Sequence, residues 1–240
     1  MAISATLEPP TKKPILQVRS LRLQVYEHLK ELMNEGQLRP GAFLDLRSLE
    51  GDLGISRTPL RDALLRLESE GFVEILPRRG VRIVELTLER IRDIYQIVGA
   101  LEGSVLRILS EDVAAALAPR MEGLNEDMAR ALDAFDYDRF YERNAEFHDA
   151  FLERSKNGEL VEHVRILKQR LYDFPRKHEV IREWEERSTH EHEAIVHLLS
   201  QGDVGAAADF MRDVHWSFDV QSPFIRRYYG VAEGGTRAAR

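Results

Sequence analysis

"GDLGISRTPLRDALLRLESEGFVEILPRRGVRIVEL", Gly51 to Leu86, changes its apolar period halfway along. Leu60, Ala63 and Leu67 recur at helical spacing; after Gly71 the pattern alternates, with Val73 and Ile75, then Val81 and Ile83, on either side of "PRRG". The stretch therefore reads as a helix followed by a hairpin. The helix starts near "SRTP", where Ser56 or Thr58 can cap it, and Pro59 is tolerated because first-turn amides have no helical partners. Upstream, Leu21, Val25, Leu29 and Leu32 predict a first helix that ends in "NEGQLRPGAFL", and Leu46 to Leu53 a short second one that turns at Gly54.

Three short helices and a hairpin in about 70 residues make the layout of a winged helix-turn-helix, whose last helix enters a DNA major groove. Arg57 and Arg61, four apart, lie together near the first turn of that helix, away from the stripe centred on Ala63. One is placed to reach a guanine edge and the other a phosphate. Arg78 and Arg79 crown the hairpin, where Gly80 lets the backbone approach a groove.

Charge agrees with this division. The chain of 240 residues carries a net charge of -7, but residues 1–85 hold 13 Lys and Arg against 12 Asp and Glu, and residues 86–240 hold 21 against 29. Only the first third suits a polyanion. With 43% hydrophobic residues the chain can form two domains. It has no Cys, hence no disulfide and no thiolate metal site, and a cytoplasmic location is expected. No apolar run approaches a membrane span or a signal peptide. The expected organisation is a flexible arm over 1–14, a DNA-binding domain over 15–85, an all-helical domain over 86–230 and a flexible tail over 231–240.

The segment from "LQVYEHLKELMNEGQLRPG" through "LGISRTPLRDAL" to "EGFVEILPRRG" resembles the DNA-binding domain of the GntR family of bacterial transcriptional regulators. That resemblance implies phosphate or base contacts from Arg47, Ser56, Arg57, Thr58 and Arg61, with the wing around Arg79 and Gly80 reaching a minor groove. Periodicity alone does not single out Arg47.

From Leu86 to about Tyr229 helical spacing prevails, as in Ile91, Ile94, Tyr95, Val98, Leu101 and Val105. About six helices are predicted, with breaks near Asp136 and at "KNG" and the last helix running through Phe218. The fold class is thus mostly α, a winged helix followed by a bundle, and bundles place ligand sites between facing helices. Asn144 and His148 in "NAEFH" share one helix face; His192 in "EHEAIV" and His215 in "MRDVHW" fall on later helices. Converging ring nitrogens with one oxygen would hold zinc or nickel. His28, His163, His178, His190 and His197 read as surface or satisfied core residues.

The second part is similar to the effector-binding domain of the FadR-type subgroup, an FCD-like domain. The resemblance implies a metal held by an Asp, a His four residues later and two more histidines, with a small carboxylate effector completing its sphere. Here Asn144 stands in place of the Asp. Counted from Met211, the final His would fall on Val214, one residue before His215, and one residue turns a helical side chain by about 100°. An extra residue in "QGDVGAA" would restore the register. The Arg common in carboxylate sensors is replaced by Val98, for which Arg170 or Arg107 could substitute.

The sequence thus predicts a ligand-responsive regulator, a repressor by the logic of its relatives, that binds a two-fold DNA operator as a homodimer and a small metabolite, an organic acid, in its bundle. Two rivals stay open: a constitutive DNA-binding protein whose bundle only dimerises, and a metal-dependent enzyme.

Overall fold

The computed structural model describes residues 20–172 and 180–229. The expected arm over 1–14 and tail over 231–240 lie outside them, as does His178. The chain forms a winged helix followed by a helical domain, the fold class its periodicities predict.

In the winged helix, α1 (Leu21–Asn34) buries Val25, Tyr26, Leu29 and Met33. Leu21 does not join this stripe; it stays 49% exposed while Tyr26 and Met33 turn inward. In α2 (Leu46–Leu53) the Asp45 carboxylate accepts from the amides of Arg47 and Ser48 at 3.0 and 3.1 Å, and Gly54 ends the helix in the left-handed conformation. Helix α3 (Arg57–Ser69) buries Leu60, Ala63, Leu64 and Leu67 against α1. Strands β1 (Val73–Leu76) and β2 (Gly80–Ile83) pair antiparallel, with Val73 opposite Ile83 and Ile75 opposite Val81. The segment 41–44 lies along the other edge of β2: the Leu44 amide donates to Val81 at 2.8 Å and the Ile83 amide to Ala42 at 2.9 Å. Phe72 and Ile83 close the core.

The second domain contains α4 (Leu88–Arg107), α5 (Glu111–Asp133), α6 (Tyr137–Leu152), α7 (Gly158–Tyr172), α8 (Arg182–Ser200), α9 (Val204–Phe210) and α10 (Phe218–Tyr228). Asp136 and Ser217 cap α6 and α10 with side-chain oxygens. Two expectations need correction. On α4 the buried stripe runs through Glu102, fully enclosed, and not through Leu101, which is only partly covered. The last helix is not continuous to Phe218: α9 widens into a π-turn over Met211–His215, where the Trp216 amide reaches back five residues to Met211 at 2.9 Å, and α10 starts afresh.

Helix α4 approaches this turn closely. A Cβ at Gly99 would sit 2.9 Å from that of Trp216 and 3.4 Å from the backbone of Arg212; one at Gly103 would sit 3.0 Å from the Ala208 carbonyl. These glycines form a notch into which the final segment settles, and Trp216 is 2% exposed there. Gly99→Ala is expected to lower unfolding free energy by about 1 to 3 kcal/mol, the usual cost of overfilling a packed contact. Denaturant titration followed by tryptophan fluorescence measures it, and an unchanged midpoint would show that the notch is slack.

Candidate functional site

Two groups of residues stand out, one in each domain. On the winged helix, Arg47, Ser56, Arg57, Thr58, Arg61, Arg79 and Gly80 are all exposed. Arg66 and Arg82 are held by Glu70 and Glu74 at 2.8 and 2.7 Å, whereas Arg47, Arg57 and Arg61 have no acidic partner among the described residues. Ser56 occupies the cap position of α3, yet its hydroxyl makes no capping bond. The first turn of α3 therefore offers a hydroxyl, amides and two guanidinium groups to the outside. At the hairpin tip Arg78 has φ 62° and Gly80 φ 107°, a tight reversal that projects Arg79. The Arg79 guanidinium lies 6.0 Å from the ring centroid of Phe43, which is itself 48% exposed. Sequence reasoning passed over Phe43; its place beside the wing comes from the pairing of 41–44 with β2.

In the bundle, His148 of α6, His192 of α8 and His215 of the π-turn bring one ring nitrogen each within 4.8 Å of the others. The π-turn absorbs one residue inside the helix itself, downstream of the loop where an extra residue was expected, and it delivers His215 to this cluster.

Each ring is aimed by an oxygen on its Nδ1. The Glu102 carboxylate faces His148 Nδ1 at 2.8 Å, Glu191 faces His215 Nδ1 at 3.0 Å, and Asn125 Oδ1 faces His192 Nδ1 at 3.3 Å. Asn125 cannot point the other way, because its amide nitrogen donates to the Thr189 carbonyl at 3.0 Å. A ring that donates from its Nδ1 to such an oxygen keeps its Nε2 lone pair for a ligand, the arrangement of metal sites built from histidine. His192 Nε2 is buried without a hydrogen-bond partner among the described residues, and so is the Asn144 Oδ1 one turn before His148. Phe147 stacks on the His192 ring at 3.9 Å, fixing its plane. These donors fit a divalent transition metal, and Asn144 lines the same cavity as His148 and His215.

Burial sets the charges. His148 is pushed down to about 4 by burial, offset in part by Glu102, and His192 is held well below the usual range by burial and by the neighbouring histidines. Burial works against the Glu102 carboxylate, but His148 and Lys168 face it and His148 and Trp216 bond to it, so it stays well below the usual carboxylate range. Neutral His148 and His192 rings beside an ionised carboxylate suit a cation.

The cavity above the histidines is walled by Tyr95, Tyr141, Trp184, Trp216 and Tyr228 together with the carboxylates of Glu185 and Glu191, and no Lys or Arg lines it among the described residues. Val98 is fully buried in the core. Arg107 pairs with Asp209 on the surface. Arg170 is placed away from the cavity, its guanidinium against Gly71 of the winged helix, where burial and Arg90 lower its pKa. Glu102, Asn125 and Glu191 were invisible to motif reading. The one signal for Glu102 was a charge on the apolar face of α4.

Residues 93–215, just over half of the chain, match the FCD domain family, and residues 21–83 match the family described as bacterial regulatory proteins, gntR family. The chain belongs to the gntR family and carries an FCD domain. It is 30% identical over 148 residues to the HTH-type transcriptional regulator McbR of Escherichia coli, covering 62% of this chain and 67% of McbR. An HTH-type transcriptional regulator of Agrobacterium vitis is 29% identical over 156 residues, 63% of this chain and 91% of that one. Among solved structures, E. coli McbR/YncC superposes with a TM-score of 0.60 at 22% identity, over 88% of this chain and 99% of that chain. A GntR regulator of Rhodococcus gives 0.65 at 17%, over 89% and 100%. This GntR-family protein is accordingly a transcriptional regulator with a DNA-binding and an effector domain, not an enzyme. No helix among the described residues is long and apolar enough to cross a membrane.

The depressed histidines predict a pH dependence for the metal-free regulator. In the unfolded chain a histidine takes up its proton near 6.5, in the folded one His148 does so only near 4, so the unfolded state binds more protons between these values. Stability falls as pH is lowered through that window, by on the order of 1 to 3 kcal/mol. Denaturant midpoints of chelator-treated protein at about pH 7.5 and about pH 5 test this; equal midpoints would refute it.

Proposed function

We propose that this regulator is a repressor that binds a two-fold operator as a homodimer and is released by a small organic acid bound above the three histidines. The observation that carries the reading is the set of three imidazoles whose Nδ1 atoms each face an oxygen and which bring one ring nitrogen each within 4.8 Å of the others. A bundle that served only to dimerise would gain stability from apolar residues here, because buried polar and charged groups are costly. Their retention favours ligand binding over the constitutive reading.

His148, His192 and His215, with Asn144, would hold a divalent ion such as zinc or nickel. When bound, the ion supplies a positive charge to which an oxygen of the effector can attach. That charge supports an acidic effector even though no Lys or Arg lines the cavity among the described residues. The aromatic walls would cover the remainder of the ligand.

On DNA, Arg57 and Arg61 would address base edges and phosphates, with Arg47, Ser56 and Thr58 on the backbone and Arg79 and Gly80 at the neighbouring minor groove. One winged helix reads few base pairs, so useful specificity calls for two copies. Ile97 on the solvent side of α4 and Ile108 just after its end remain 46% and 71% exposed, and this surface is available for pairing.

Arg57→Ala and Arg61→Ala are each expected to weaken operator binding by about 1 to 3 kcal/mol without unfolding the domain. Operator fragments selected from random DNA with the wild-type protein supply the ligand for the titration, and unchanged affinity in both variants would overturn the assignment. His148→Ala with His192→Ala should abolish metal uptake, measured as metal per chain by elemental analysis, while operator affinity in chelator persists. Equal metal content in variant and parent would place the metal elsewhere.

A further inference from the structure

Helix α7 has two faces at helical spacing, and both are engaged. Val164, Leu167 and Leu171 turn into the bundle core, and Lys168 on the same side places its Nζ 3.1 Å from Glu102 Oε1. The other oxygen of that carboxylate accepts from His148 Nδ1 at 2.8 Å and Trp216 Nε1 at 2.7 Å. Lys168 is thus one residue removed from the histidine cluster.

On the opposite face, Ile166 packs on the apolar core of the winged helix, Gln169 Oε1 accepts from Lys30 of α1, and Arg170 covers Gly71. A Cβ at Gly71 would lie 2.9 Å from the Arg170 Cζ. Gly71 lies between α3 and β1, and α1 is tied to the end of α3 by the Tyr26 hydroxyl on Glu70 at 2.6 Å. The α7 residues that meet the DNA-binding domain are therefore sequence neighbours of the one that meets Glu102, on a helix that transmits displacement as a rigid rod.

We propose that α7 reports the state of the histidine site to the DNA-binding domain, with Lys168 sensing Glu102 on one face and Ile166, Gln169 and Arg170 acting on α1 and the α3–β1 joint on the other. Whatever draws on His148 draws on Glu102, and Lys168 must follow or lose its partner. The contact with the winged helix is made by side-chain tips, which can exchange between two arrangements at little cost. This inference rests on reading the histidines as the regulatory site.

The test is amide hydrogen exchange of the full chain with and without zinc, in wild type and in Ile166→Ala/Gln169→Ala. Zinc is expected to slow exchange around His148 and His192 in both proteins. In wild type it should also change exchange in Leu21–Asn34 and Val73–Ile83 by about five-fold or more, and in the variant that remote change should vanish. A remote change that persists in the variant, or its absence from wild type while the histidine helices respond, would overturn the proposal. Should zinc leave every segment unchanged, the metal reading has failed. Glu102→Gln, made in both backgrounds, then perturbs the same carboxylate: the proposal predicts faster exchange in Leu21–Asn34 only where the α7 contacts are intact, and an equal effect in both, or none in either, would overturn it.

Discussion

The Glu102 carboxylate is the constraint around which the effector domain is arranged. A fully enclosed charge on an apolar helix is tolerated only when donors surround it, and here they come from three separate segments: an imidazole of α6, an ammonium of α7 and the indole of Trp216. Those three bonds fix where α6, α7 and the end of the π-turn stand relative to α4. The glycine notch on α4 serves the same end, since the indole reaches the carboxylate only where no side chain intervenes. Removing one donor would leave a buried charge short of partners, so the cluster stands or falls as a unit.

The DNA-binding half was legible because its signals are local. A switch from helical to alternating spacing at Gly71, a proline in a first helical turn and a glycine beside arginines at a hairpin tip each act within a few residues. Arg47 carries no such signal, being one exposed residue at the head of a short helix, and only the resemblance named it. Phe43 was hidden for another reason: it is brought beside Arg79 by the pairing of 41–44 with the outer edge of β2.

The histidine cluster was legible in its members but not in its supports. Asn144 and His148 share a helix face by spacing, and the resemblance pointed to His192 and to a last histidine one residue before His215; the structure brings the three rings together. Glu102, Asn125 and Glu191 come from α4, α5 and α8, and no spacing rule connects them to the rings they hold. Arg170 shows the reverse case. Named as a substitute for the cation missing at Val98, it lies instead against Gly71 of the winged helix. Contacts between domains leave the weakest trace in sequence, because each partner looks like an ordinary surface residue on its own side.

The π-turn separates two things that a regular helix binds together, the number of residues in a helix and the direction of each side chain. In a uniform α-helix an inserted residue would rotate every later position and send the last imidazole away from its companions. A single wide turn takes up the surplus where it arises, so the segments before and after keep their own orientation. Insertions and deletions in this stretch can therefore be neutral to the site. When such chains are aligned column against column, an imidazole displaced by one position is no sign of a lost ligand.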